Sequence, residues 1–331
     1  MAGWLLTLAA LVSSSGAHAS YSSLFIFGDS LSDSGNNAII LAPNVTPVPI
    51  SGNSFIPDFP YASGTYTNSQ NWAQSFALSL ALSANPSVLG GTNYAFGGAN
   101  TGPLSPLFPL PFGLFDPFPA SLETQAAYFL LQHGNVAPSD ALYVVAGGGN
   151  NARDALTAIG GCGGNPVCIG GLILSTATAY ATDIGTIVGE LELAGADRII
   201  VWDTPDVGKT PAVVASGGSA IGSLLASSMN SALLSAIGGV PGVMFFDVFG
   251  LEDNVLADPD AFGLTNVTDA CAQFVACDPS MYFFWDGIHP TSAGHLILSN
   301  AMLALAVPEP TTLALLGLGL AGLGFSRRMK A

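Results

Sequence analysis

Residues 24–37 read LFIFGDSLSDSGNN. An apolar run passes directly into a Gly-Asp turn and then into Ser30. Such a run reads as a short buried strand, and a serine just past its carboxyl end stands clear of the sheet. Near the other end, residues 285–291 read WDGIHPT and set Asp286 three positions before His289. A hydroxyl, an imidazole and a carboxylate are the nucleophile, base and orienting acid of a serine hydrolase. Only an α/β domain spanning nearly the whole chain brings stretches so distant in sequence together.

The intervening pattern fits such a domain. β-rich runs lie at Leu24–Phe27, Thr92–Phe96, Ala141–Ala146, Arg198–Trp202 and Val243–Phe249. Helical patterns lie at Ser69–Leu82, Leu122–Gln132, Leu172–Leu193, Ser219–Ile237 and Ser292–Leu305. Alternation of this kind predicts a parallel sheet covered on both faces, with the site beyond the carboxyl ends of the strands. Two stretches break it. Asn44–Pro60 is rich in Pro, Asn and Ser, and Gly102–Pro119 is dense in Pro and Phe, which excludes helix and central strand. The second is either a rigid loop packed on the core or an apolar wall that receives an acyl chain.

The 331 residues carry a formal net charge of -16, which arises from a shortage of bases: 22 acids face only six Lys and Arg. Arg327, Arg328 and Lys330 sit in the tail, leaving Arg153, Arg198 and Lys209 as the other cations. Such a surface repels phosphate backbones, which excludes nucleic acid as a partner.

Both ends read as targeting signals. Residues 1–19 contain an apolar run and end on Ala17-His18-Ala19, a small-x-small cleavage site, as in a secretory signal. At the other end, Pro308-Glu309-Pro310 precedes the uncharged run Thr311–Phe325 and the basic tail. Fifteen residues rise about 23 Å as a helix, short of the ~20 residues usually needed to span a bilayer, so the expectation is transient membrane anchoring with the basic end in the cytoplasm. This order resembles the PEP-CTERM sorting signal of Gram-negative bacteria, which implies an exosortase as partner and display at the surface, the outer membrane or beyond. The expected divisions are thus 1–19 signal, 20–306 hydrolase domain and 307–331 sorting segment. The cysteines fit export: Cys162/Cys168 and Cys271/Cys277 are each spaced C-x5-C, for which two local disulfides are the simplest pairing. Zinc is the alternative, though no histidine lies near either pair.

Two glycine-rich turns offer hydrogen-bond donors. Residues 93–100, NYAFGGAN, and 145–151, VAGGGNN, each follow a β-rich run. Glycine there permits close approach of backbone to a ligand, and Asn150 adds a side-chain NH2. The second turn also matches G-x-G-x-x-A, but it is not the first βα turn and lacks the following acid of a dinucleotide site. Among the other histidines, His18 belongs to the signal, His133 ends a helix in a capping position, and His295 lies structurally on the last helix. Asp29 and Asp33 read as turn or capping residues.

Ser30 in GDSLSDSGNN, Gly97 in NYAFGGA, Asn150 in GGGNN, and Asp286 with His289 in WDGIHPT resemble, in order, the blocks of the GDSL, or SGNH, hydrolases. The resemblance implies a three-layer α/β/α sandwich with a five-stranded parallel sheet. It implies Ser30, Asp286 and His289 as catalytic triad and Ser30, Gly97 and Asn150 as oxyanion donors, with Gly98 the alternative to Gly97. It calls for no cofactor and no metal. Residues 64–72, GTYTNSQNW, resemble a further stretch of the secreted lipase branch, with Thr65 where that branch has arginine. Asn151 stands where the third block has aspartate. The implied activity is hydrolysis of carboxylic esters, with lipidic or medium-chain acyl esters expected. Acylated extracellular polysaccharide is the alternative substrate, and a non-catalytic surface protein on the same scaffold is the rival role.

Overall fold

The computed structural model describes residues 21–103 and 118–307. The expected signal, the middle of the Pro/Phe-rich loop and the apolar run of the tail lie outside the described residues. Tyr21–Leu303 forms one compact unit.

Its elements in chain order are β1 (Leu24–Gly28), α1 (Asn36–Leu41), α2 (Trp72–Ser79), α3 (Leu122–Gln132), β2 (Leu142–Ala146), α4 (Gly149–Gly160), α5 (Pro166–Leu193), β3 (Ile199–Trp202), α6 (Pro211–Ala215), α7 (Ser219–Ile237), β4 (Val243–Phe246), α8 (Val248–Ala257) and α9 (Ser292–Ala306). The sheet is parallel throughout, in the order β1-β2-β3-β4. Leu24 stands opposite Leu142, and Gly28 opposite Ala146.

The expected five strands become four among the described residues. Thr92–Phe96 does run beside the free edge of β1, and the Tyr94 and Phe96 amides donate to the Ile26 and Gly28 carbonyls at 2.8 and 3.1 Å. Only one bridge, Ile26 with Asn93, is regular. The Asn93 side chain diverts the rest: its Oδ1 accepts from Ala95 N, and its Nδ2 donates to the Ser32 carbonyl. A side chain that bonds its own backbone two residues on bends the chain out of a ladder.

Alternation along the strands divides the core. Phe25, Phe27, Tyr143, Val145, Ile199 and Val201 face a cluster built with α3, α4, α5 and α7. The opposite face meets α2 and α9: Trp202 packs on Trp72 with ring centroids 4.5 Å apart, and its indole N–H points at the Met302 sulfur. Helices on both faces of a parallel sheet make the expected three-layer α/β/α sandwich. By length and composition α5 and α7 are apolar enough to cross a membrane. In this domain their apolar stripes, Tyr180, Ile184 and Leu191 on α5 and Leu225, Met229 and Leu233 on α7, are buried against the sheet.

Caps explain several boundaries. α2 starts at Trp72 because Asn71 and Gln74 form a capping box, each side chain satisfying the other's backbone. The run Val243–Phe249 is strand only to Phe246, because Asp247 caps α8 by accepting from Gly250 N. The helix α5 begins at Pro166, earlier than its apolar period indicates, because Asn165 caps it. Both local disulfides form, Cys162–Cys168 and Cys271–Cys277, with Cα atoms 5.7 and 5.5 Å apart.

Candidate active site

The loop after β1 is fixed from three directions. Gln125 on α3 donates to the Gly28 carbonyl and accepts from the Gly28 amide, at 2.9 and 2.8 Å, so the strand end is held by one side chain. Asp29 is buried and accepts from Leu31 N, while its carbonyl accepts from the Ser32 and Asp33 amides. Asp33 receives Gly35 and Asn36 amides on Oδ1 and Asn37 and Gly97 amides on Oδ2. Burial pushes both carboxyls up to about 6. Asp29 and Asp33 thus hold the turn, as expected, and leave Ser30 at the surface of the cleft.

The WDGIHPT stretch meets this loop. His289 Nε2 lies 2.7 Å from Ser30 Oγ, and His289 Nδ1 lies 2.8 Å from Asp286 Oδ2. A carboxylate only accepts, so Nδ1 carries the ring proton and Nε2 is left to accept from the serine. Asp286 is fully buried yet well served: Oδ1 accepts the Ile288 and His289 amides, and Oδ2 also accepts the Tyr61 hydroxyl. Burial and the nearby carboxylate push the Tyr61 phenol up, so it stays a donor. The structure therefore brings Ser30, Asp286 and His289 together.

The GTYTNSQNW stretch ties the two loops to each other. Asn71 donates to the Asp33 carbonyl and Trp72 to Ser32 Oγ. From the same stretch Thr67 donates to the Pro290 carbonyl and Asn68 to Ser292 Oγ. Tyr66 accepts from Asn37 and lies 5.4 Å from the His289 ring. Thr65, which stands where the secreted lipase branch has arginine, donates to the Ser69 carbonyl and closes the turn locally.

In the first of the two glycine turns the two candidate donors, Gly97 and Gly98, are engaged differently. The Gly97 amide donates to Asp33 Oδ2 at 3.0 Å, which commits it to the scaffold, although Gly97 lines the same cavity as Ser30, Asn150 and His289. A Cβ at Gly97 would lie 2.2 Å from the Tyr66 ring, which accounts for glycine there. The neighbouring Gly98 is exposed, has φ 85°, and lines a cavity with Ser30, Asn150 and His289. Its amide makes no hydrogen bond among the described residues, and neither does the Ser30 amide. The second turn places Asn150 in the first turn of α4, behind Gly148 at φ 118°. Asn150 Nδ2 donates one hydrogen to the Ala99 carbonyl at 2.9 Å and keeps another. Asn151 turns aside to Thr101, accepting its amide and donating to its hydroxyl.

Here the chain can be placed among known proteins. The model of the GDSL-like lipase/acylhydrolase family matches residues 24–302, and that of the PEP-CTERM protein-sorting motif matches residues 306–328. The chain belongs to the GDSL-like lipase/acylhydrolase family. A Pseudomonas putida protein described as the uncharacterized protein in the trpE-trpG intergenic region is 28% identical over 88% of this chain and 50% of its own length. Esterase EstA of Pseudomonas aeruginosa is 27% identical over 89% of this chain and 48% of its own length. Lipase 1 of Photorhabdus luminescens is 32% identical over 60% of this chain and 24% of its own length. The chain thus spans half or less of the length of these relatives. Among solved structures, the α/β hydrolase LAE5 from the Lake Arreo metagenome is 15% identical, covers 86% of this chain and 94% of its own, and has a TM-score of 0.45.

Around Ser30 this GDSL-family chain has two unlike walls. One is apolar, formed by Leu31, Val207, Val248, Phe283, Ile288 and Leu298. Glu252 lies in this wall, buried, with Oε2 accepting the Asp206 amide. Burial and the Asp206 charge push the Glu252 carboxyl up to about 8, so the wall is uncharged at neutral pH. The other wall carries Pro57, Asp58, Tyr66 and Gly98, with Arg153 between the two. Tyr61, Gln125, Arg153 and Glu252 escaped the sequence reading because none lies in a recognisable pattern. His133 does cap α3, its ring Nδ1 2.9 Å from the Phe129 carbonyl. His295 is buried, and burial with the nearby His289 holds it down to about 3, so it stays neutral and structural.

Proposed function

We propose that this chain is an exported serine esterase that hydrolyses lipidic or medium-chain carboxylic esters through an acyl-enzyme on Ser30. The observation that carries it is the continuous hydrogen-bonded line Ser30 Oγ, His289 Nε2, His289 Nδ1, Asp286 Oδ2, at 2.7 and 2.8 Å. Ser30 Oγ attacks the ester carbonyl carbon while His289 Nε2 takes its proton. Asp286 holds the ring and stabilises the imidazolium. The oxyanion is received by the Ser30 and Gly98 amides and the remaining Asn150 N–H, three donors held in place by the surrounding turns. His289 returns the proton to the departing alkoxide, and the alcohol leaves. Water, deprotonated by His289, then attacks the acyl-enzyme, and Ser30 recovers its proton. None of these steps calls on a metal or cofactor.

The apolar wall supports an acyl chain of some length, since burying each CH2 there is worth about 0.8 kcal/mol. The sorting motif supports an exosortase as partner and delivery past the inner membrane, with residues 1–19 removed and residues 20–306 as the mature hydrolase. Fluorophosphonate labelling tests the mechanism: wild type incorporates the probe and Ser30→Ala does not, whereas labelling of the variant overturns it. A series of p-nitrophenyl esters tests the substrate. Activity that peaks on acetate and vanishes on octanoate rejects the lipidic reading in favour of an acylated glycan.

A further inference from the structure

We infer that Arg153 is a positioning residue of the oxyanion site, locking the Asn150 side-chain amide with its NH2 toward Ser30. This rests on the oxyanion role proposed above for Asn150.

An asparagine amide has two ends of nearly equal size, and only one can stabilise an oxyanion. Rotated by half a turn, it presents a carbonyl oxygen to the developing negative charge. What fixes the orientation is therefore catalytically decisive. Two contacts do so here. Asn150 Nδ2 donates to the Ala99 carbonyl at 2.9 Å, and Asn150 Oδ1 accepts from Arg153 Nη1 at 3.2 Å. In the rotated amide both contacts become unfavourable: oxygen faces oxygen at Ala99, and NH2 faces the guanidinium at Arg153. The two residues lie three apart on α4, so they share a face of the helix.

The lock is built from a residue this chain rarely uses. Arg153, Arg198 and Lys209 are the only cations among the described residues. No carboxylate lies within ion-pair distance of the Arg153 guanidinium among the described residues, although Asp58 and Asp154 line the same groove. Among the described residues no ion pair draws the guanidinium away from the amide, although Asp29 lies near enough to feel its charge. A cation on Oδ1 also polarises the amide, making its N–H a stronger donor. Asn151, next in the chain, is engaged with Thr101 and supplies no support to Asn150.

A double-mutant cycle on the full-length protein with p-nitrophenyl butyrate, a neutral ester, tests this. Arg153→Met keeps the stem and removes the donors. We expect it to lower kcat about ten- to a hundredfold, the size of a hydrogen bond to a charged group, with KM within about twofold. In the Asn150→Ala background the same substitution lowers kcat by less than about twofold, because the group it positions is gone. Arg153→Lys falls between wild type and Met and serves in the cycle if the Met variant does not fold. Equal losses in both backgrounds overturn the lock, as does a loss confined to KM, which assigns Arg153 to substrate docking instead. An unchanged kcat in Arg153→Met beside an impaired Asn150→Ala overturns the lock alone. An unchanged kcat in Asn150→Ala overturns the oxyanion reading, and the lock with it.

Discussion

Tyr61 and Asp286 are joined by a 2.9 Å hydrogen bond across 225 positions of sequence. The phenol shares Asp286 Oδ2 with the His289 ring, so the carboxylate is held in place by a residue outside every motif. Its donors are two backbone amides, one imidazole and one phenol, so the buried carboxyl group is fully hydrogen-bonded. Tyr61→Phe removes one of four. The remaining three keep Asp286 oriented, so kcat should fall by less than about tenfold with KM unchanged, and the melting temperature should drop with the loss of roughly 1.5–3 kcal/mol. Steady-state kinetics with thermal melting check both, and an unaltered melting temperature would separate Tyr61 from the support of Asp286.

The oxyanion site yields a sharper expectation. Asn150→Ala deletes one donor while leaving α4 and its cap at Gly148 untouched. Its kcat should fall about 10²–10³-fold, with the melting temperature lowered only by the loss of the Ala99 and Arg153 hydrogen bonds. Gly97→Ala should act differently. Its Cβ would lie 2.2 Å from the Tyr66 ring, and that ring is held by Asn37 beside His289. The expected result is a lowered melting temperature together with lost activity. Loss of activity without loss of stability would return Gly97 to the oxyanion site.

Asp33 links the most elements, and its removal should cost the fold rather than the chemistry. Four amides converge on it, one of them from Gly97 at the turn beyond the free edge of β1. Asp33→Ala leaves those amides buried without partners, each worth about 1–3 kcal/mol. The protein should express poorly or melt far lower, and soluble, fully active Asp33→Ala would contradict this account.

Much of this was legible in the sequence because the informative residues are local. The GDSLSDSGNN stretch contains both the serine and the side chains that shape its turn, since Asp33 bonds amides only two to four residues ahead. The WDGIHPT stretch likewise contains its own Asp286–His289 pair. Long-range partners left no such trace. Gln125 reaches Gly28 across 97 positions, and Tyr61 reaches Asp286 only through the folded chain. The choice between Gly97 and Gly98 turned on the same kind of contact, a carboxylate 64 positions away that claims the first amide. The fifth strand was lost for a local reason that composition hides: Asn93 bends a run whose neighbours suit a strand.

Glu252 ties stability and substrate binding to one proton. Its carboxyl is held up at about 8 from an ordinary 4.5, by burial and then by the Asp206 charge. A raised acid keeps in the native state a proton that the unfolded chain releases. Its favourable contribution is therefore complete below about pH 4.5 and is lost as pH rises through about 8. Asp203, raised to about 7 by burial, acts in the same sense, whereas His295, lowered to about 3, opposes it as pH falls below about 6.5. The clean window is thus pH 6.5–8, in which wild-type melting temperature should decline as pH rises. Glu252→Gln holds the wall neutral at every pH, so its stability relative to wild type should grow from pH 5 to pH 8 and then level off. The same charge enters the apolar wall beside Ser30. For p-nitrophenyl octanoate the wild-type KM should climb above about pH 8, while that of Glu252→Gln stays flat. Parallel KM profiles for the two proteins would show that Glu252 does not face the acyl chain.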